Sequence, residues 1–203
     1  MTPMMEQYFE IKKTYKEHIL FYRLGDFYEM FFDDAIVASR ELELTLTGRD
    51  CGEAERAPMC GVPFHSAEGY IGKLIEKGYK VAICEQTEDP SAAKGLVRRE
   101  VVRVITPGTL IETDLLESKQ NNYIAAIYFD SNGFGVCFAD VSTAQVYATM
   151  AEGESSEAQL INELGAYNPR EIILNGEVDK VEKLHGYLYS HKRPCIPKSV
   201  RKI

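Results

Sequence analysis

The chain has 203 residues, 45% of them hydrophobic and 27% charged, with a formal net charge of −8. That length accommodates one large domain or two ordinary ones, and the composition is ordinary for a soluble globular protein. No apolar run approaches the roughly 20 residues needed to cross a bilayer, and the net acidity argues against a general nucleic-acid binder.

Residues 1 to 20 mix polar and aromatic side chains with no continuous apolar stretch, so no secretory signal is expected and the cytoplasm is the default compartment. Thr2-Pro3 opens like a helix cap with a first-turn proline, and Met4, Tyr8, Ile11, Tyr15 and His18 recur at helical spacing. The apolar run 19–24 predicts a buried strand, and Gly25 a bend after it. Asp33-Asp34 predicts the cap of a second helix over Ala35 to Glu43. Leu42, Leu44 and Leu46 alternate with polar residues, which predicts a strand ending at Gly48, followed by an exposed loop over 48–56. Ser66 predicts a third helix with Tyr70, Leu74 and Ile75 inward and Gly78 as its stop. Strands are predicted at Lys80 to Gln86 and at Leu96 to Thr106, with a loop from Thr87 to Gly95 between them. These elements predict a small α/β domain with a mixed sheet and flanking helices, residues 1–115, ending in a polar linker over 109–120.

The second domain, residues 116–203, opens with a hairpin: Tyr123 to Phe129, the turn Asp130-Ser131-Asn132-Gly133, then Phe134 to Ala139. A third strand over Gln145 to Met150 follows the turn Asp140-Val141-Ser142-Thr143. Ser156-x-x-Gln159 reads as a capping box for a helix to about Ala166. A strand over Glu171 to Asn175 and a helix over Glu177 to Tyr189 complete the α+β pattern.

The most informative segment is Gly25-Asp26-Phe27-Tyr28-Glu29-Met30-Phe31. If it is extended after the turn, period-two alternation aims Phe27 and Glu29 to one side, a planar apolar ring beside a hydrogen-bonding carboxylate. That pair suits a nucleobase: the ring stacks or wedges and the carboxylate reads an edge. Tyr28 and Phe31 are assigned to packing, as aimed differently from Phe27. Lys94, Arg98, Arg99 and Arg103 face only Glu100 within ten residues, a local basic patch that is either a phosphate contact or a solvated strand edge.

The five cysteines, 51, 60, 84, 137 and 195, contain no CxxC pair. Cys51, Cys60 and His65 match no zinc spacing and lack a fourth ligand, so no metal is expected. Asp130 and Asp140 recommend themselves to turns before any metal-dependent nuclease chemistry. No G-x-x-x-x-G-K-[ST] phosphate loop occurs.

Residues 25–31 resemble the glycine–x–phenylalanine–tyrosine–glutamate–x–phenylalanine signature of the MutS family of DNA mismatch-repair proteins. Ala57 to His65, Val81 to Gln86, Val101 to Thr109 and Phe138 to Thr143 are similar to further blocks of that family in the same order. The resemblance covers about residues 1 to 145. It implies a mismatch-recognition domain followed by part of a ribonuclease H-like connector domain, truncated within domain two. It implies that Phe27 wedges at a mispaired base and that Glu29 hydrogen-bonds it. It also implies that Leu24 flanks the kinked step, if it is not simply core, and that Arg103 approaches the backbone or minor groove. The implied partners are mismatched double-stranded DNA, a second copy through domains absent here, and a downstream repair protein docking on the connector. ATP and magnesium are implied only for a C-terminal ATPase domain of the full-length protein, and no enzyme activity is expected of this fragment. An interaction module without DNA binding of its own is the main alternative, and a ribonuclease H-like nuclease the lesser one.

Overall fold

The computed structural model describes residues 1–88, 95–110, 121–175, 181–188 and the backbone of 200–202. The chain divides into two units, Met1–Ile105 and Thr106–Ile203. The division falls ten residues before the boundary read from the sequence. The turn after Ile105 belongs to the second unit, because Thr106 Oγ1 and the Gly108 N–H both donate to the buried Glu171 carboxylate.

In the first unit, helix α1 (Pro3–Thr14) precedes strands β1 (His18–Leu24) and β2 (Phe27–Phe31). Helix α2 (Phe32–Leu42), strands β3 (Thr47–Arg49) and β4 (Ala57–Pro63), helix α3 (Ala67–Glu76) and strands β5 (Lys80–Gln86) and β6 (Arg99–Ile105) follow. The sheet order is β3-β4-β2-β1-β5-β6, antiparallel except where β1 lies parallel to β5. One sheet face carries Leu20, Tyr22, Phe31, Ala57, Ala82 and Cys84 against Met5 and Tyr8 of α1. Helix α1 is tied there by Lys12, whose ammonium lies 2.8 Å from Asp34, while the Asp34 carboxylate also accepts from the Leu20 N–H at 3.0 Å.

Two expectations for this unit fail locally. The strand over Leu42 to Leu46 is absent: Leu42 closes α2, Glu43 turns left-handed at φ 57°, and Leu46 is exposed. Only the end of the predicted strand pairs, as β3, which runs from Thr47 to Arg49 into the stretch read as a loop. The Asp33-Asp34 cap is also absent, because Asp34 is spent on Leu20 and Lys12 rather than on its own helix.

In the second unit, strands β7 (Tyr123–Asp130), β8 (Gly133–Asp140) and β9 (Gln145–Glu152) form an antiparallel meander. Helix α4 (Ser156–Tyr167), strand β10 (Glu171–Leu174), helix α5 (Glu182–Leu188) and strand β11 (Val200–Lys202) give the order β11-β10-β7-β8-β9, with β10 parallel to β7 and β11. This is the mixed α/β arrangement expected from the sequence. The helix start shifts by one residue: Ser155 is the flanking residue, and Gln159 Nε2 donates to its hydroxyl at 2.9 Å. Both crossovers run the same way across the sheet, so right-handedness brings α4 and α5 to one face. There Leu160, Leu164, Leu184 and Leu188 pack on Ala125, Ile127, Val136 and Phe138.

The first unit's core is rich in tyrosine hydroxyls. Burial raises the pKa of Tyr8 above the ordinary phenol range, helped by the nearby Asp34 carboxylate. Burial likewise pushes Tyr22 and Tyr28 up to about 12. A folded-state pKa above the unfolded value of about 10 means that the stabilisation is complete below pH 10 and is lost as pH rises through the folded values. The melting temperature of the chain should therefore fall steeply between about pH 10 and 12, in step with tyrosinate absorbance, and Tyr8→Phe should blunt that fall. A flat profile over this window would contradict the assignment.

Candidate nucleic-acid interface

The tip of the β1–β2 hairpin places the signature. Leu24 pairs with Phe27 across the turn, and Gly25 sits at φ 56°, a left-handed geometry that suits a residue without Cβ. Phe27, Glu29 and Phe31 then lie on the sheet face that α1 covers. Phe31 therefore shares its side with Phe27, contrary to the alternation argument made for it. It is buried because it lies under Tyr8, with ring centroids 5.2 Å apart. Phe27 lies at the far end of the same row and is 47% exposed. Leu24 beside it is half-buried, and Pro63 of β4 pairs with it on its other side.

Glu29 is in a half-buried ion pair that the sequence reading missed. Its Oε2 lies 2.6 Å from Nη1 of Arg49 on β3, with side-chain exposures of 16% and 37%. Gly61 of β4 is the register partner of Glu29. A Cβ at position 61 would stand 3.1 Å from the Tyr28 carbonyl oxygen and 3.4 Å from Glu29 Cγ. The absent side chain leaves room for Glu29 beside β4. Arg49 sits in the polar stretch read as a loop, and the signal available for it was its place directly after the strand predicted to end at Gly48.

The opposite side of the tip holds a second aromatic. The Arg23 guanidinium lies 3.6 Å from the Phe64 ring centroid, and its Nε donates to the Gly25 carbonyl at 2.6 Å. Tyr28 donates to Glu85, whose other oxygen is 3.7 Å from Arg23. The Phe64 N–H donates to the Asp26 carbonyl at 2.9 Å, fastening the start of the turn after β4 onto the hairpin. Arg23, Tyr28, Phe64 and Glu85 thus brace the turn from behind.

The predicted basic patch does not assemble. Arg99 is 7% exposed: it donates to the Arg23 carbonyl at 2.7 Å, the Val97 carbonyl at 2.9 Å and Gln7 Oε1 at 3.2 Å, and stands over the Tyr22 ring. Its phosphate role gives way to that of a strut joining α1, β1 and β6, because a buried guanidinium needs its donors filled internally. Arg98 is exposed and pairs with Glu100. Arg103 is exposed but pairs in register with Ile83, which pairs with Phe21, so it stands on the sheet face opposite Phe27. Lys94 lies outside the described residues. In the second unit, Asp130 accepts from the Asn132 N–H, and Asp140 from the N–H groups of Asn122, Ser142 and Thr143 and the Ser142 hydroxyl. Both carboxylates serve turns.

A two-unit α/β protein with an aromatic–carboxylate pair at an exposed hairpin tip is the class defined by these observations. Residues 2–114 match the family model for MutS domain I, and residues 122–200 match that for MutS domain II. The chain belongs to the MutS family. It is 61% identical over 173 residues to the DNA mismatch repair protein MutS of Alkaliphilus oremlandii, covering 85% of this chain and 20% of that protein. It is 58% identical over 177 residues to the protein of the same name from Acetivibrio thermocellus, covering 87% of this chain and 20% of the relative. With that of Clostridioides difficile it shares 58% over 184 residues, 91% of this chain and 19% of the relative. The chain thus spans about a fifth of the length of the curated relatives it matches. Among the described residues no helix is long and apolar enough to cross a membrane.

The tight fit over Gly61 yields a test of the site. Gly61→Ala should push Glu29 away from β4, disturb its pair with Arg49 and cost about 1 kcal/mol of stability, as overpacking against backbone does. Chemical denaturation of the two chains measures the cost; an unchanged midpoint would mean that the gap over β4 is not filled.

Proposed function

We propose that this chain is the DNA-reading end of a mismatch-repair protein, in which Phe27 wedges beside a mispaired or unpaired base and Glu29 hydrogen-bonds that base. One observation carries the reading: Phe27 is the half-exposed end of a row that begins with the buried Phe31, with the partly covered Glu29 carboxylate between them on the same face. Inserting a ring between base steps costs a few kcal/mol of unstacking. The cost falls where pairing and stacking are already weakened, so discrimination comes from deformability and needs no sequence reading. Phenylalanine suits the task because it carries no polar group to desolvate and stacks on any base. The relatives' printed name, DNA mismatch repair protein, agrees with this.

The chain's acidity, with Arg99 buried and Arg98 already paired with Glu100, means that phosphate contacts come largely from elsewhere in the protein. We therefore assign strong binding to the complete protein, closing as an ATP-dependent clamp, with ATP and magnesium held outside this chain. The second unit links the reader to the rest of that protein and docks its repair partners, and the cytoplasm is the working compartment.

The test is Phe27→Ala in the complete protein, with mismatched and fully paired duplexes compared by fluorescence anisotropy. Mismatch affinity should drop about tenfold or more, the loss of one stacked base being worth about 1–3 kcal/mol, while affinity for paired DNA barely moves. Equal preservation of both affinities would rule out the wedge.

A further inference from the structure

Glu29 poses an electrostatic problem for any surface that meets DNA: a carboxylate brought against phosphates is repelled, and at ordinary ionic strength the repulsion acts over about 10 Å. The fold answers it locally. Arg49 Nη1 holds Glu29 Oε2 at 2.6 Å, while among the described residues Oε1 takes no hydrogen bond. Arg49's nearest acidic neighbour in sequence, Asp50, is engaged elsewhere: its Oδ1 accepts from the Gly52 N–H at 2.9 Å. Gly61 keeps the ground between the two strands clear for the Glu29 side chain. The pair is only partly buried, so it is accessible to an arriving duplex.

We propose that Arg49 is a positioning residue for the base-contacting carboxylate: it fixes Oε2, leaves Oε1 for the base, and cancels the charge that the phosphates would otherwise repel. This rests on the reading of Glu29 as a base contact. A guanidinium suits the role because it stays ionised at any working pH and makes a short, directional bond to a carboxylate. Among the described residues its other donors take no further hydrogen bond and can meet the duplex. Replacing Arg49 leaves an uncompensated anion facing DNA. The damage therefore depends on Glu29 being charged, a dependence that a plain phosphate contact would not show, and a loss of DNA binding with the unfolding midpoint kept sets it apart from a folding role.

The experiment is a double-substitution cycle in the complete protein, with dissociation constants measured on mismatched and paired duplexes and unfolding midpoints measured alongside. Arg49→Met should weaken binding to both duplexes about tenfold, and Arg49→Lys should stay within about threefold of the parent. In a Glu29→Gln background, where no charge needs cancelling, Arg49→Met should cost less than about threefold. Equal costs in the two backgrounds, or no cost in either, overturn the proposal. Glu29→Gln alone separates the two levels: it should tighten binding to paired DNA more than to mismatched DNA. If instead both affinities fall together, or neither moves, the base-contact reading fails and the Arg49 role fails with it. If Glu29→Gln behaves as expected while the two Arg49→Met steps are equal, only the role of Arg49 is overturned.

Discussion

The signature depends on where the cover over one sheet face stops. Along β2 the residues Phe31, Glu29 and Phe27 point to the same side. Their exposure rises from nothing, through a mostly covered carboxylate, to a ring that is half in solvent. Helix α1 sets this gradient: Tyr8 seals Phe31, and the helix is pinned by the Lys12–Asp34 pair and by Asp34's bond to the Leu20 N–H. Three positions on one face of a strand thus acquire different surroundings from one packing boundary. An aromatic ring left outside a core forgoes the roughly 2–3 kcal/mol that burial would contribute. Here the ring is also held on a short strand with a tight turn, so the exposure is not the result of a loose segment.

Much of this was legible in the sequence, and the failures have identifiable physical causes. The apolar run before Gly25 and the alternation after it gave β1, the turn and the outward pairing of Phe27 with Glu29, because short-range periodicity decides those features. Phe31 is packed as assigned, but not for the reason given: parity puts it on the side of Phe27, and what buries it is the reach of the covering helix, which parity does not tell. Leu42, Leu44 and Leu46 mimicked a strand; Leu42 instead ends a helix whose C-terminus turns at Glu43, and tertiary packing overrode a three-residue pattern. Of strand β3 only Thr47 and Gly48 fell in the predicted strand, and Arg49 was read as loop, because Thr47-Gly48-Arg49 has no hydrophobic alternation; it pairs because β4 offers an open edge.

The basic cluster shows a limit of reading charge from composition. Arg98 and Arg99 are neighbours in sequence, yet one is solvated and the other is a buried strut. Strand alternation sends adjacent side chains to opposite environments, so a linear run of arginines on a strand cannot form a one-sided patch. Arg103, four residues after Arg99, should by simple parity share its side. The irregular pairing between Ile83 and Cys84 breaks that parity and puts it on the face away from Phe27. A count of local charge carries no such geometry, whereas each arginine's partners do.

How Arg98, Arg99 and Arg49 are held bears on the specificity we propose for the tip. Phosphate attraction is the same at every base pair, so a strong basic patch at the tip would raise paired and mismatched affinities together and dilute the contrast between them. Keeping Arg99 inside, Arg98 paired with Glu100 and Arg49 on Glu29 removes that uniform term from the surface around Phe27. What remains at the tip is an exposed ring and a charge-balanced carboxylate, which on the proposed reading both sense whether a base has lost its partner. On that reading, affinity supplied by other parts of the protein and discrimination concentrated at the tip are separable properties.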